Sequence, residues 1–173
     1  PTKLSSNSTV AAIKRTKWLV RNRPNEALLR LPLMDNPQKL AAMQMMNIMF
    51  LYAYMAVPLL APLISAKMVK LTLEYGLCDV SSVGFVTYGM LLCGVGNDIE
   101  EGYRFGELAM RVYKKFETKA WFGRIYAWFY GSVCVWKKPV VTIFDPIKTA
   151  HRAALESGDI DFAMLNANIY CWE

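Results

Sequence analysis

Apolar positions recur at helical spacing along most of the chain, and the residues between them fall into short marks of punctuation. Ser8 to Val20 reads as a basic amphipathic helix. Asn22 to Pro37 is linker-like, carrying Pro24, Pro32, Asp35 and Pro37. Asp35 or Asn36 is placed to cap the next helix with Pro37 at its first position, where a missing N–H costs nothing. That helix should run to about Tyr54. A second runs from near Val57 to Tyr75, because Pro58 and Pro62 interrupt the apolar run between them. Gly76 supplies the left-handed residue that ends a helix, and Asp79 can cap the following one, from Val80 to about Val95.

The clearest helix is Ile99 to Phe116. Asp98 and Glu101 have capping-box spacing, and Lys114 and Lys115 sit where the helix dipole favours cations. Glu100 with Arg104, and Glu107 with Arg111, are spaced to pair along a wet face. Opposite lie Ile99, Tyr103, Gly106, Met110 and Tyr113, and Phe105, Leu108 and Val112 add a second apolar flank. Two apolar flanks imply two neighbours, and Gly102, Gly106 and Ala109 would let them approach closely.

A helix dense in aromatics follows from about Lys119 to Val135, and then Trp136-Lys-Lys-Pro139. Asp145-Pro146 starts or kinks the next helix, which ends near Ser157. Gly158-Asp159 repeats the stop-then-cap signal, and Ile160 to Cys171 begins another. Helix starts near Val80, Lys119 and Ile160 lie about 40 residues apart, as in helical-repeat chains. The expected fold is all-α, with antiparallel helical hairpins stacked as an α-solenoid. It is tetratricopeptide-like but divergent, the usual period being about 34 residues. The last helix lacks a partner, which implies a segment of a longer protein.

Composition sharpens this picture. The chain has 173 residues, 54% of them hydrophobic, with mean hydropathy +0.20. A free soluble domain is usually about 45–50% apolar, so the surplus implies a contact with more chain, another subunit or lipid. The net charge of +6 is local. Through Arg30 there are seven basic residues (Lys3, Lys14, Arg15, Lys17, Arg21, Arg23, Arg30) against Glu26 alone, and the rest of the chain balances. Such an arm is either a solvated helix face or a contact for phosphates, anionic lipid or an acidic partner. No nucleic-acid-binding motif accompanies the charge, so nucleic acid is not expected.

Little catalytic chemistry survives inspection. Cys78, Cys93, Cys134 and Cys171 are widely spaced without a CxxC, and His151 is the only histidine. Zinc is therefore not expected, and buried reduced thiols fit a cytoplasmic or other reducing compartment. His151 sits mid-helix with nothing to complete a triad, and reads as a surface or interhelix hydrogen-bonding residue. Asp159 and Asp161 face different ways on a helix, and Asp159 has a capping job. Trp136 with Lys137 and Lys138 could hold an anion, although an anchoring tryptophan between helices is the simpler role. No catalytic, cofactor-binding or metal-binding residue is assigned, and the chain is read as non-enzymatic.

Several spaced motifs carry a resemblance. They are Leu31-Pro-Leu-Met34-Asp35-Asn-Pro37, Met68-Val-Lys-Leu71-Thr-Leu-Glu74-Tyr-Gly76, Tyr88-Gly89 and Gly102-Tyr103-Arg-Phe105-Gly106-Glu-Leu108-Ala109. Trp136-Lys-Lys-Pro139 and Ala154-Leu-Glu156-Ser-Gly158-Asp159-Ile-Asp-Phe-Ala163 complete the series. From about Arg21 onward the chain resembles the tetratricopeptide-like helical region of large signalling proteins. Those proteins join a serine/threonine-kinase-like domain to a signal-transduction ATPase module. The resemblance implies a packed helical scaffold beside the ATPase module, with Gly158-Asp159 as a tight interhelix turn. It does not carry over catalysis, since there is no Walker A loop and no kinase catalytic-loop or DFG pattern.

One rival reading stays open. Leu40 to Ala66 holds 27 residues without a charge, between Lys39 and Lys67, long enough to span a bilayer. Val80 to Asn97 is also uncharged. The chain is then a membrane-embedded or membrane-attached structural subunit, with the basic N-terminal helix on an anionic surface. The resemblance favours a non-catalytic helical scaffold and interaction module instead, with a basic helix and linker at 1–36 and a helical-repeat domain at 37–173. Its expected partners are another protein or adjoining domains of the same polypeptide. The residues expected to make contacts are Lys14, Arg15, Lys17, Trp136, Lys137 and Lys138. Those expected to pack or turn are Gly76, Gly102, Gly106, Ala109, Gly158 and Asp159.

Overall fold

The computed structural model describes residues 6 to 172, so Lys3 of the basic segment and the extreme ends of both expected domains lie outside the described residues. The helices are α1 (Ser6–Val20), α2 (Asn25–Leu29), α3 (Pro37–Ala56), α4 (Ala61–Tyr75), α5 (Ser81–Gly94), α6 (Ile99–Phe116), α7 (Phe122–Ser132), α8 (Phe144–Ser157) and α9 (Ile160–Trp172). Short 3-10 turns precede α7 and separate it from α8. Among the described residues the protein is all-helical, with a single isolated parallel bridge between Leu33 and Leu77.

The punctuation works through local chemistry. Asn36 caps α3, its side chain accepting from the Lys39 N–H at 3.1 Å, with Pro37 in the first turn. The chain turns at 57–60, where the proline pair implied a break. Gly76 ends α4 at φ 104° and ψ −179°, a glycine-only conformation different from the expected left-handed helical cap. A Cβ there would run into the Pro32 carbonyl oxygen, which accepts from the Leu77 N–H at 2.7 Å. Gly76 thereby lets the linker lie against the α4–α5 turn. The Met34 N–H returns a bond to the Leu77 carbonyl at 2.8 Å.

Asp98 caps α6 as expected, accepting from the Glu101 N–H at 3.2 Å. The reciprocal half of the capping box is replaced: the Asp98 N–H goes to the Leu92 carbonyl, and the Glu101 carboxylate goes to Arg104. Asp79 is diverted as well. Its carboxylate receives the Trp121 indole N–H at 2.7 Å as well as the Val80 N–H, and α5 starts without a side-chain cap from Val80. Further on, α8 begins at Phe144, out of a 3-10 turn, so Asp145 and Pro146 fall inside its first turn. Gly158, at φ 77°, and Asp159 close α8 by backbone bonds to Leu155 and Ala154, the Schellman pattern.

Packing centres on α5. Every residue from Ser81 to Cys93 is buried, and α3, α4, α6 and α7 all lie against this helix. A helix apolar all round is a core helix or a membrane span, and here protein surrounds it. Its polar groups are satisfied internally: Ser81 Oγ bonds Thr72 Oγ1 at 2.9 Å, and Thr87 Oγ1 donates to the Val83 carbonyl at 2.8 Å. At fourteen residues α5 is about 21 Å long, short of a bilayer's hydrocarbon core of about 30 Å. Among the described residues no helix is long and apolar enough to cross a membrane.

Small residues set the crossings. A Cβ on Gly89 would stand 2.6 Å from the Gly102 carbonyl, and one on Gly102 would strike Cys93 Sγ, so α5 and α6 meet backbone to backbone. Ala109, fully buried, belongs to the same face. On the other flank of α6, Gly106 faces Phe129 near the end of α7 and Val133 just beyond it. Gly123 on α7 meets Ala154 on α8 in the same manner. Each helix from α3 onward packs on the next, and α3 on α5, α5 on α7, and α7 on α9 as well.

Candidate interaction surface

The aromatic helix α7 carries one charge between Lys119 and Lys137, namely Arg124. Its guanidinium forms a two-point pair with Asp159, Nε to Oδ2 at 2.6 Å and Nη2 to Oδ1 at 3.1 Å, and both side chains are only 12% exposed. The same group lies 4.8 Å from the Phe162 ring centre and reaches toward Asn47 of α3 at 3.5 Å. Beside it Trp128 meets Phe50 and Tyr54 of α3 and Phe162 of α9, each at an edge-on angle. This cluster ties α3, α7 and α9 together.

The tie leaves apolar side chains facing outward. Met45, Ile48, Met49 and Tyr52 form a stripe along α3 at helical spacing, and all are exposed. The Tyr52 hydroxyl donates to Asp161 Oδ2 on α9 at 2.6 Å, and this bond raises the tyrosine's pKa. Ile160 and Met164 flank Asp161, also exposed, so the stripe on α3 continues onto α9. Methionine side chains adapt to varied apolar surfaces at little conformational cost. The sequence reading missed this face and Arg124 alike. The signals were present: α3 is apolar on every side from Ile48 onward, and a lone charge in an aromatic helix demands a partner.

The expected contact residues fall in two other places. On α1, Lys14 and Arg15 are exposed, whereas Lys17 is bound to Asp98 Oδ2 at 2.5 Å, which lowers the pKa of that carboxyl. Trp18, which sequence reasoning passed over, is 60% exposed with Arg21 stacked 4.8 Å above its ring. Arg15 shares a shallow depression with Leu19, Leu63, Lys67 and Lys70. The Trp136 group divides. Lys137 is held by Glu100 at 2.7 Å and lies over Tyr103, while Lys138 is exposed. Trp136 is half exposed, and Val133 and Cys134 before it are buried.

The remaining groups play structural parts. His151 Nδ1 donates to the Ala163 carbonyl at 2.8 Å, joining α8 to α9. Asp159 serves Arg124 and Asp161 serves Tyr52, so the two carboxylates have separate partners. Cys78, Cys93 and Cys134 are buried thiols and Cys171 is exposed. Burial raises all three buried thiols, Cys93 to about 11, which makes them poor nucleophiles at neutral pH. Comparison with protein-family models, with curated proteins and with solved structures finds no match to this chain.

Proposed function

We propose that the chain is a non-catalytic, tetratricopeptide-like α-solenoid that serves as an interaction module of a signalling ATPase-type protein. The alternation of contacts supports the repeat reading: every helix from α3 meets its successor, and α3, α5, α7 and α9 also meet in series. Stacked helical pairs require that pattern, because each repeat buries its apolar face on its neighbours. Two stretches of the family resemblance, around Leu31–Pro37 and Met68–Gly76, come together at the Leu33–Leu77 bridge. Its compartment is a reducing one, in keeping with four free cysteines.

The observation that carries the function is the exposed stripe of Met45, Ile48, Met49 and Tyr52 continued by Ile160 and Met164. Contiguous apolar surface on a folded protein marks a place where something docks. The occupant is an apolar helix of a protein partner or an adjoining domain, seated by anchors one turn apart. Selection from a displayed library of amphipathic helical peptides tests this. Enriched peptides should carry apolar residues at helical spacing and lose binding to a Met49→Glu/Met164→Glu variant that melts like the wild type. Enrichment indifferent to that variant, or none, would refute the reading.

A further inference from the structure

A second apolar surface lies at the end of the α3–α4 hairpin, where the stripe on α3 runs out. Tyr54, Met55, Ala56, Val57, Pro58 and Leu59 are consecutive, apolar and all exposed, Met55 to 72%. Polar residues normally occupy such a turn, because it faces water on every side. Thr9 Oγ1 donates to the Leu59 carbonyl at 3.0 Å, which places the start of α1 against the tip and adds exposed Val10 to it.

Behind the tip stand cations. Arg15 comes six residues after Thr9 on α1, and Lys67 six after Ala61 on α4, which sets each about 9 Å back along its helix. Arg15, Lys67 and Lys70 line one depression, and Lys14 is exposed beside Arg15. No ion pair among the described residues engages Lys14, Arg15 or Lys67, whereas Lys70 and Lys17 are paired to Glu74 and Asp98. Asp161, on the α9 side, is taken up by Tyr52.

We propose that this tip inserts into an anionic lipid surface while Lys14, Arg15 and Lys67 meet the headgroup phosphates. Interfacial segments bury apolar side chains about 5–10 Å below the headgroups, and the spacing from tip to cations matches that depth. Each cation near an anionic leaflet adds attraction that salt weakens. Attachment of this kind needs no membrane-spanning helix. Met55 continues the face of the stripe one turn beyond Tyr52, whereas the cations lie behind the tip, so the peptide and vesicle assays report on the two surfaces separately.

Co-sedimentation of the full chain with sucrose-loaded vesicles tests the proposal, using phosphatidylcholine alone and with about a third phosphatidylserine. Binding should be at least roughly tenfold tighter to the anionic vesicles and fall as salt rises. Met55→Glu/Leu59→Glu should weaken it about tenfold or more with an unchanged thermal melt, since a carboxylate resists burial among lipid chains. Arg15→Glu/Lys67→Glu should weaken it similarly and flatten the salt dependence. Failure to sediment with anionic vesicles, or equal binding by the tip variant, overturns the proposal. So does a wild type that binds no vesicles but dimerises in sedimentation velocity through the tip, which would make a second copy the occupant.

Discussion

Replacing Gly106 gives a sharp test of how α6 is gripped. A Cβ at this position would lie 2.8 Å from two ring carbons of Phe129 and 2.9 Å from Val133 Cγ1. Ordinary carbon contacts need about 3.5–4.0 Å, so the ring must retreat by most of an ångström. It has little room: Phe129 is nearly buried, with Tyr130 at 5.0 Å and Tyr103 at 6.0 Å between ring centres. Overpacking costs about 1–3 kcal/mol, while glycine-to-alanine in a helix gains roughly 0.5–1 kcal/mol. Gly106→Ala should therefore lose about 0–2.5 kcal/mol net, and Gly106→Leu about 3 kcal/mol or more. Urea unfolding followed by circular dichroism, with m-values compared, gives both numbers. Phe129→Leu should make Gly106→Ala cheaper, because the shorter side chain vacates the contested space. A stabilised Gly106→Ala, gaining what an exposed helical site would gain, refutes this packing.

Other outcomes follow from the same contacts. Arg104 does not pair with Glu100; it bonds Glu101 at 2.5 Å and Asn25 Oδ1 at 2.6 Å, so Arg104→Ala should cost about 1.5–3 kcal/mol in a denaturant melt, above a solvated pair. Arg111→Ala, whose partner Glu26 sits in the open, should cost about 0–1 kcal/mol in the same assay. Asp159→Asn leaves Arg124 without its counter-charge and should cost about 3–5 kcal/mol, while Arg124→Met/Asp159→Leu should recover part of that loss. Ellman's reagent at pH 8 should titrate Cys171 quickly and the three buried thiols only after unfolding. Burial raises Cys93 from 9.0 to about 11, so its contribution to stability is complete below about pH 9 and is lost as pH rises toward 11. Melts that hold level across that window, or four thiols reacting at once, would contradict the burial.

What the sequence made legible was local, and what it hid was tertiary. Asn36, Asp98 and Gly158 announce helix ends through chemistry that needs only a few neighbouring residues, and the helices begin and end there. The proline pair gave the turn at 57–60 for the same reason. Pairing was misjudged because an i,i+4 spacing competes with partners it cannot see. Glu100 is claimed by Lys137, Arg104 by Asn25 and Glu101, and Arg111 by Glu26. Asp79 and Asp159 look like caps by position, yet Trp121 and Arg124 reach them from distant helices. The α3 stripe was hidden by uniformity, since the second half of the helix is apolar on all sides and gives no sign of which side stays uncovered.

The central claim is that these helices form a scaffold that folds on its own core, with α5 enclosed by protein and not by lipid. Expression and purification without detergent, followed by sedimentation velocity and a thermal melt at 222 nm, tests it most directly. The account predicts a monodisperse, strongly helical species with one cooperative transition, as expected of a domain sharing a single buried core. A chain that stays helical and dispersed only in detergent would contradict it.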